Sequence, residues 1–145
     1  MESSPILDSV AVADRIHSAA IHLLRQAARL DTLSGQGPAR LSALSILVFG
    51  GPKTLGELAA AERVKPPTMS RIVAGLRRSG LARIAADKHD QRRVRVTVTA
   101  KGEKLLQEAR NRRIHALAEK FGVLSQEQLA TVAAAADFIE QALQG

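Results

Sequence analysis

The segment between Thr54 and Lys104 constrains the fold most, because its sequence predicts a short helix, an arginine-rich helix and a basic β-hairpin in direct succession. Between residues 63 and 104 it carries twelve Lys and Arg against three Asp and Glu, a local charge of +9. The whole chain carries +7, so the remainder is slightly acidic. Positive charge gathered in one structural unit indicates a polyanionic partner, and nucleic acid is the first to consider.

Composition narrows the class of protein and of partner. A chain of 145 residues with 46% apolar and 24% charged residues is typical of one folded domain. No apolar run reaches the roughly 20 residues that cross a bilayer, and the N-terminus Met1–Pro5 lacks the basic start of an export signal, so we expect a cytoplasmic protein without a membrane partner. The absence of cysteine excludes disulfides and thiolate metal ligands. The absence of Trp and Tyr disfavours stacking on unpaired bases, which favours duplex DNA.

Two helices are marked by their boundary residues. Thr54 and Glu57 have the spacing of a capping box and predict the start of a short helix. Pro66 suits the first turn of the next helix, and Gly80 is the residue type that ends one. Between them, four apolar residues recur at helical spacing and predict a core-facing stripe: Met69, Ile72, Val73 and Leu76.

A β-hairpin with a charged tip follows this arginine-rich helix. Residues 81–86 and 93–98 are strand-like and enclose the polar turn 87–90. The second run alternates with period two, which predicts one buried face and one polar face. The buried face would hold Val94, Val96 and Val98, and the polar face Arg93, Arg95 and Thr97.

The remaining chain is predicted to be helical. One amphipathic helix spans about 9–33. A buried helix that contains Phe49 follows an N-cap at Ser42. Two further helices occupy about 99–144, and the last begins with a capping box at Ser125 and Gln128. The first and the last two helices carry more apolar stripe than one small winged domain can cover. We therefore expect them to pack against a second copy.

Two motifs at a fixed separation resemble the MarR family, the multiple antibiotic resistance type of winged-helix regulator. Glu57 to Leu81 is similar to the family's helix-turn-helix and its exit Gly-Leu. Asp87-Lys88-His89-Asp90-Gln91-Arg92, closed by Thr99-Ala100-Lys101-Gly102, is similar to the family's wing. The resemblance covers residues 9–144, nearly the whole chain.

The resemblance implies a mainly α fold with a small β-hairpin wing, in a single domain over residues 1–145. A winged helix-turn-helix region of about 42–98 would lie between dimerisation helices of about 9–33 and 99–144. In a symmetric dimer, each copy would place the helix 66–79 in a major groove of double-stranded DNA. The operator would then be a pseudo-palindrome with half-sites about 34 Å apart.

Specific contacts follow from residue chemistry on this frame. Ser70 and Arg71, with Thr68 beside them, are the expected base contacts, since Arg can hold guanine O6 and N7 bidentately. Arg92 corresponds to the family's wing arginine and suits a narrow minor groove, with Asp90 shaping the loop through a charge-assisted hydrogen bond. Asp90 could also be an ordinary turn residue.

Further basic and polar residues are expected to contact phosphate, positioning the protein without specifying sequence. Arg77 and Arg78 also suit a helix C-terminus without any DNA, and Arg95 could be a solvated strand residue. The expected phosphate contacts are Lys53, Thr54, Lys65, Arg77, Arg78, Lys88, Arg93 and Arg95.

An effector is implied by the resemblance alone. The family commonly binds small aromatic, often anionic ligands between the dimerisation helices and the winged region, and here the residues suggested by helix membership are His22, Arg25, Phe49 and Arg113. The four histidines lack the spacing of a helical metal site, and no catalytic grouping or phosphate loop is evident. We expect no enzyme activity, no metal and no cofactor.

The sequence therefore predicts a dimeric, sequence-specific DNA-binding transcriptional regulator, a repressor released by a ligand. Two other hypotheses stay open at this point. A sequence-tolerant architectural DNA-binding protein needs only the basic unit, and a helical interaction module or enzyme with a vestigial wing needs no DNA at all.

Overall fold

The structure is a computed structural model and describes residues 6–145, so the prediction about Met1–Pro5 lies outside the described part. Helices predominate over a small antiparallel sheet, which confirms the predicted mainly α fold with a β wing. A short 3-10 helix, Thr32–Ser34, follows the first long helix. The elements are α1 (Ser9–Asp31), α2 (Pro38–Gly50), β1 (Lys53–Thr54), α3 (Leu55–Ala61), α4 (Pro66–Arg78), β2 (Ala82–Ala86), β3 (Val94–Val98), α5 (Ala100–Phe121) and α6 (Gln126–Gln144).

The chain forms two compact units, one ending at Asn111 and the other comprising Arg112–Gly145. The second unit contains α6, which begins at the predicted capping box. Ser125 Oγ accepts the Gln128 N–H at 3.2 Å, and Gln128 Oε1 accepts the Ser125 N–H at 2.9 Å. Both arms of the box are thus formed, so two backbone donors that the helix cannot use internally are satisfied.

The core lies in the first unit, where α2, α3 and α4 pack together against the sheet and the start of α5. Its members are almost all aliphatic, as expected of a close-packed interior. The predicted inward stripe of α4 is confirmed for Met69, Val73 and Leu76, and Ile72 is half-buried. The largest fully buried side chains are Leu44, Leu47, Leu58, Met69, Leu76, Leu81, Leu106, Val73 and Val96.

The wing is a sheet of three strands in the order β1-β3-β2, not a simple hairpin. β1 has only two residues, and Lys53 and Thr54 pair with Val96 and Arg95 of β3. A strand so short has no periodicity to detect, which is why the sequence did not predict it. By this pairing the start of α3 is tied directly to the wing.

Three local predictions were wrong. α2 begins at Pro38, after Gly37, because a proline in the first turn suits a helix start. Ser42, the predicted N-cap, lies inside that helix and donates to Glu62 Oε1 at 2.5 Å. Phe49 is 61% exposed because it lies in the last turn of α2, beyond the packed part of the helix, and Val94 is 39% exposed because it begins β3 next to the charged tip.

Two helices have no buried residue in the described structure, namely α1 and α6. Their apolar residues are partly or largely exposed instead of enclosed. On α1 these are Val10, Val12, Ile16, Leu23 and Leu24, and on α6 they are Val132, Phe138, Ile139 and Leu143.

Candidate nucleic-acid interface

Helix α4 presents a polar face on the side opposite its core stripe. The predicted base contacts Thr68, Ser70 and Arg71 are all exposed. Within the described chain, none of their side chains makes a hydrogen bond or ion pair, so their donors and acceptors are available to an external partner. Arg77 and Arg78, in the last turn, are exposed as well.

The turn before α4 holds its backbone without a glycine. Arg63 has a φ of 54°, in the left-handed region, which is uncommon for a residue with a side chain. Its N–H donates to Ala60 O at 3.1 Å, and the Val64 N–H donates to Ala59 O at 3.0 Å. These two bonds form the Schellman arrangement that ends α3 and directs the chain into α4.

The tip of the wing is shaped by Asp90. Its Oδ1 accepts the Arg92 N–H at 3.0 Å, and its carbonyl accepts the Arg93 N–H at 3.0 Å. Asp90 Oδ2 lies 3.7 Å from Arg93 Nε, an exposed ion pair. The Arg92 side chain is exposed and has no hydrogen bond or ion pair to any described residue, so its guanidinium is available at the tip.

The base of the wing is held by a residue to which the sequence assigned no role. Asp87 is buried, and Arg95 Nε donates to its Oδ1 at 3.1 Å. That hydrogen bond lowers the pKa of the Asp87 carboxyl, whereas burial raises it. The positive charge of Arg95, the backbone N–H of His89 and the charge of the His89 side chain lower this pKa further. Arg95 Nη1 also lies 3.4 Å from Pro52 O. Arg95 thus joins the two long strands to the segment before β1.

The predicted phosphate contacts lie at three levels of exposure. Thr54 is buried, and its Oγ1 accepts the Glu57 N–H at 3.2 Å, which makes it the N-cap of α3. Lys53 is half-buried and donates to Gly50 O at 3.1 Å, at the end of α2. Lys65 and Lys88 are exposed, as are Arg77, Arg78 and Arg93.

A groove of about 460 Å³ separates the start of α3 from the wing. Arg92 and Arg93 provide positive charge on the wing side, and Glu57 provides a carboxylate on the other side. The structure therefore brings Thr54 together with Arg92 and Arg93, three residues predicted from separate parts of the sequence. Its lining residues are Thr54, Leu55, Gly56, Glu57, Arg92, Arg93 and Val94.

The Thr-x-Lys-Gly motif joins the end of α4 to the start of α5. Thr99 Oγ1 donates to Gly80 O at 2.7 Å and accepts the Gly102 N–H at 3.1 Å. Lys101 Nζ donates to Ser79 O at 3.0 Å. These bonds satisfy the carbonyls of the two residues that follow α4, so the motif fixes the chain at the C-terminal end of the arginine-rich helix.

Gly102 adds a steric requirement to that joint. A Cβ at this position would overlap the carbonyl oxygen of Leu81 and come within 2.9 Å of a methyl of Val98. The sequence predicted Lys101 only as a surface residue of a helix, and it assigned no role to Gly102 or Asp87 beyond their place in a family motif. The available signal was the resemblance itself, because a glycine and an acid at positions set by a family motif indicate close packing and a buried partner.

The predicted effector residues are not all in one unit. His22 and Arg25 are exposed on α1, and Phe49 is exposed at the end of α2. Arg113 is half-buried on α5 and belongs to the second unit. The guanidinium carbon of Arg110, which the sequence did not single out, lies 6.0 Å from the centre of the Phe49 ring. This is a cation–π distance, and both residues lie in the first unit.

Residues 6–145 show neither a metal-binding cluster nor a membrane-spanning helix. These residues contain no cluster of three His, Asp or Glu side chains that could hold a metal ion. None of the helices in that range is long and apolar enough to cross a membrane.

Comparison with known proteins agrees with this geometry. The model of the MarR family matches residues 34–93. An uncharacterised HTH-type transcriptional regulator of Mycobacterium bovis is 36% identical over 135 residues, covering 92% of this chain and 94% of that protein. A MarR family protein from Bacillus stearothermophilus superposes with a TM-score of 0.84 at 23% identity, over 97% of this chain and 100% of that one. NadR, solved in complex with 4-hydroxyphenylacetate, superposes with a TM-score of 0.65 at 21% identity, over 96% and 97% of the two chains.

Proposed function

The chain belongs to the MarR family of helix-turn-helix transcriptional regulators and is not an enzyme, and from this premise we propose that it is a homodimeric repressor of a pseudo-palindromic DNA operator. The proposal includes release from DNA by a small aromatic anion. Because the partner is duplex DNA, we place its action in the cytoplasm.

One observation carries sequence-specific binding. Thr68, Ser70 and Arg71 are exposed on α4, and no described residue occupies their polar atoms. Arg92 is equally accessible at the wing tip, which Asp90 shapes. A helix with accessible donors beside a basic wing matches a readout of base edges in the major groove, together with an arginine in the adjacent minor groove.

Phosphate contacts complete the proposed site. The exposed cations Lys65, Arg77, Arg78, Lys88 and Arg93 are suited to the DNA backbone, and they supply affinity without sequence preference. Thr54, Lys53 and Arg95 already have hydrogen-bond partners within the protein. We therefore propose that these three residues act indirectly, by holding the protein backbone that presents the phosphate contacts.

Dimerisation is supported by the apolar residues that α1 and α6 leave exposed. Most of the stability of a helix in a protein comes from packing one of its faces. The 23-residue helix α1 is amphipathic but has no buried residue, so its apolar face lacks the packing that would stabilise it. A second copy would supply that contact. Two α4 helices related by a twofold axis would then read two half-sites.

Ligand release is supported by the contact between Arg110 and Phe49. An exposed ring beside a guanidinium offers stacking and a charge partner at once, which suits a small aromatic carboxylate. NadR, a protein of the same fold, has been solved with 4-hydroxyphenylacetate, a ligand of this class. His22 and Arg25, which lie in the same unit, are the other proposed ligand residues, and Arg113 of the second unit stays a prediction.

The decisive test is selection of 30-base-pair duplexes from a random library by the wild-type protein, followed by competition. We expect an enriched inverted repeat whose binding resists competition by random duplex. Equal loss to the selected and the random competitor would contradict the proposal and favour a sequence-tolerant architectural binder. Sedimentation equilibrium on the free protein tests the dimer independently of DNA.

The ligand part has its own experiment. A panel of aromatic carboxylates, starting with 4-hydroxyphenylacetate, should raise the thermal midpoint of the wild-type protein and weaken its binding to the selected duplex, because a ligand that binds the folded state stabilises it by mass action. Arg110→Ala and Phe49→Ala should abolish both effects while leaving DNA affinity intact. Arg112→Ala, a neighbouring arginine on α5, serves as the control.

A further inference from the structure

The space beside a glycine inside the recognition helix α4 is occupied by an arginine from another helix. Gly75 is buried, although glycine in a helix interior costs roughly 0.5–1 kcal/mol relative to alanine. The three nearest atoms to a Cβ built at this position all belong to the guanidinium of Arg40, from the first turn of α2. The missing side chain therefore leaves the space in which this guanidinium lies against the helix backbone.

Arg40 has no anionic partner among residues 6–145. Its Nη1 lies 3.2 Å from Oε1 of Gln36, which is neutral. No carboxylate of residues 6–145 forms an ion pair with it, and its side chain is half-buried. A partly desolvated cation without a counter-charge is unfavourable, so the arrangement stabilises the free protein poorly.

The position of the Arg40 guanidinium, against the backbone of α4, explains its presence. Residues three and four apart lie on the same helix face, so Gly75 is adjacent to Arg71 and Arg78, both exposed. Arg40 thus adds a third guanidinium to one stripe of the recognition helix. Like charges at this spacing repel each other unless a polyanion lies against them.

We propose that Arg40 is a DNA phosphate contact supplied by α2, and that Gly75 is glycine in order to seat it. The inference rests on the proposed function, since it presupposes that α4 binds duplex DNA. It extends the site to an element outside the helix-turn-helix pair and the wing. The described structure gives this guanidinium one hydrogen bond, from Nη1 to Gln36, so its other N–H donors remain for a phosphate oxygen.

The test is the salt dependence of binding to the selected duplex and to a random 30-base-pair duplex. The slope of log K against log salt is negative, and each lost phosphate contact reduces its magnitude by about 0.9. In a symmetric dimer, Arg40→Gln should therefore reduce that magnitude by about 1.8. The affinity ratio of wild type to variant should then fall about 12-fold between 50 and 200 mM salt. Lys120→Gln, which removes an exposed cation in the last turn of α5, is the matched control and should leave the slope unchanged.

A second variant separates contact from folding. Gly75→Ala keeps the charge of Arg40 and favours the helix, but its methyl displaces the guanidinium, so we expect an equal or higher thermal midpoint together with a lower slope. An unchanged slope in both Arg40→Gln and Gly75→Ala would overturn the inference, even if both variants lost stability. If the wild type prefers its selected duplex and only these slopes fail to change, the proposed function stands without Arg40. If the wild type binds no duplex, both fall.

Discussion

Asp87 and Arg95 form a partly buried ion pair across the wing, with Nε of the arginine donating to Oδ1 of the buried carboxylate at 3.1 Å. The carboxylate follows β2 and the arginine lies on β3, where it pairs with Ala85 and, on the other side, with Thr54 of β1. The contact therefore connects all three strands at the base of the loop that carries Arg92. A wing arginine can reach a minor groove reproducibly only if that base is fixed.

Asp87→Asn should loosen the wing in a pH-dependent manner. The folded-state pKa of Asp87 is lowered from its ordinary value of 3.8, so its stabilising effect is present above pH 3.8 and is lost as the pH falls through the lower folded value. We expect the wild type to have the higher thermal midpoint at pH 7, with a difference that narrows below pH 3.8. Differential scanning calorimetry across this range at fixed protein concentration measures it.

Glu108→Gln is the matched control for that experiment, because it breaks an exposed ion pair, Lys104 with Glu108 at 3.9 Å. Exposed pairs contribute about 0–1 kcal/mol, so its midpoint should change little at any pH. A constant difference between wild type and Asp87→Asn from pH 7 down to pH 2.5 would show that the buried carboxylate does not titrate as the structure indicates.

Base readout and backbone contact should be separable on one helix. Arg71→Ala should cost about 1–3 kcal/mol on the selected operator and relax the preference at one base pair of each half-site. Arg78→Ala, seven residues along the same helix, should weaken selected and random duplexes alike and lower the salt slope by about 1 for each subunit. Fluorescence anisotropy with single-base operator variants distinguishes them. Identical behaviour of the two variants would remove the assignment of Arg71 to a base.

The helices and the exposure of the proposed recognition residues could be predicted from the sequence because their signals are local. Pro66 and Gly80 are boundary residues with a fixed backbone preference, and Met69 to Leu76 shows the period of one buried face. Exposure of Ser70 and Arg71 follows from that period without knowledge of any other element. The wing turn was predictable for the same reason, since its polar residues are contiguous.

Three features that the sequence missed, namely β1, the buried carboxylate of Asp87 and the space above Gly75, each depend on a contact with another element of the chain. β1 exists only by pairing with β3, and Asp87 is buried only because Arg95 reaches it. The space above Gly75 is defined by Arg40, which is 35 positions earlier in the chain. Local periodicity contains no information on such pairs. Val94 shows the opposite error, because strand alternation predicted burial at a strand end where no core remains.

Gly102→Ala should destabilise the protein at the joint between α4 and α5. The added methyl would overlap the Leu81 carbonyl oxygen, which is backbone and cannot move aside cheaply. We expect a loss of about 3 kcal/mol, the upper end of the usual cost of overpacking, and weaker operator binding in the fraction that folds. Gly56→Ala is the matched control, because no heavy atom lies within 4 Å of its Cβ position and α3 favours alanine. Equal denaturant midpoints for the two variants would contradict the structure of this joint.

Arg63→Gly should stabilise the protein, because two helices end in the same hydrogen-bonded arrangement with different residues at its left-handed position. After α4 that position is Gly80, with a φ of 72°, whereas after α3 it is Arg63, with a φ of 54°. The left-handed conformation costs a residue with a side chain about 1–2 kcal/mol, a cost that glycine avoids. Glycine also loses more conformational freedom on folding, which cancels part of this gain. The expected net gain is about 0.5–1 kcal/mol, or roughly 2–4 °C at constant dimer concentration. Arg63→Ala removes the same charge but keeps the strained φ, so it should give no gain. A gain of equal size in both variants would trace the effect to charge instead of backbone conformation.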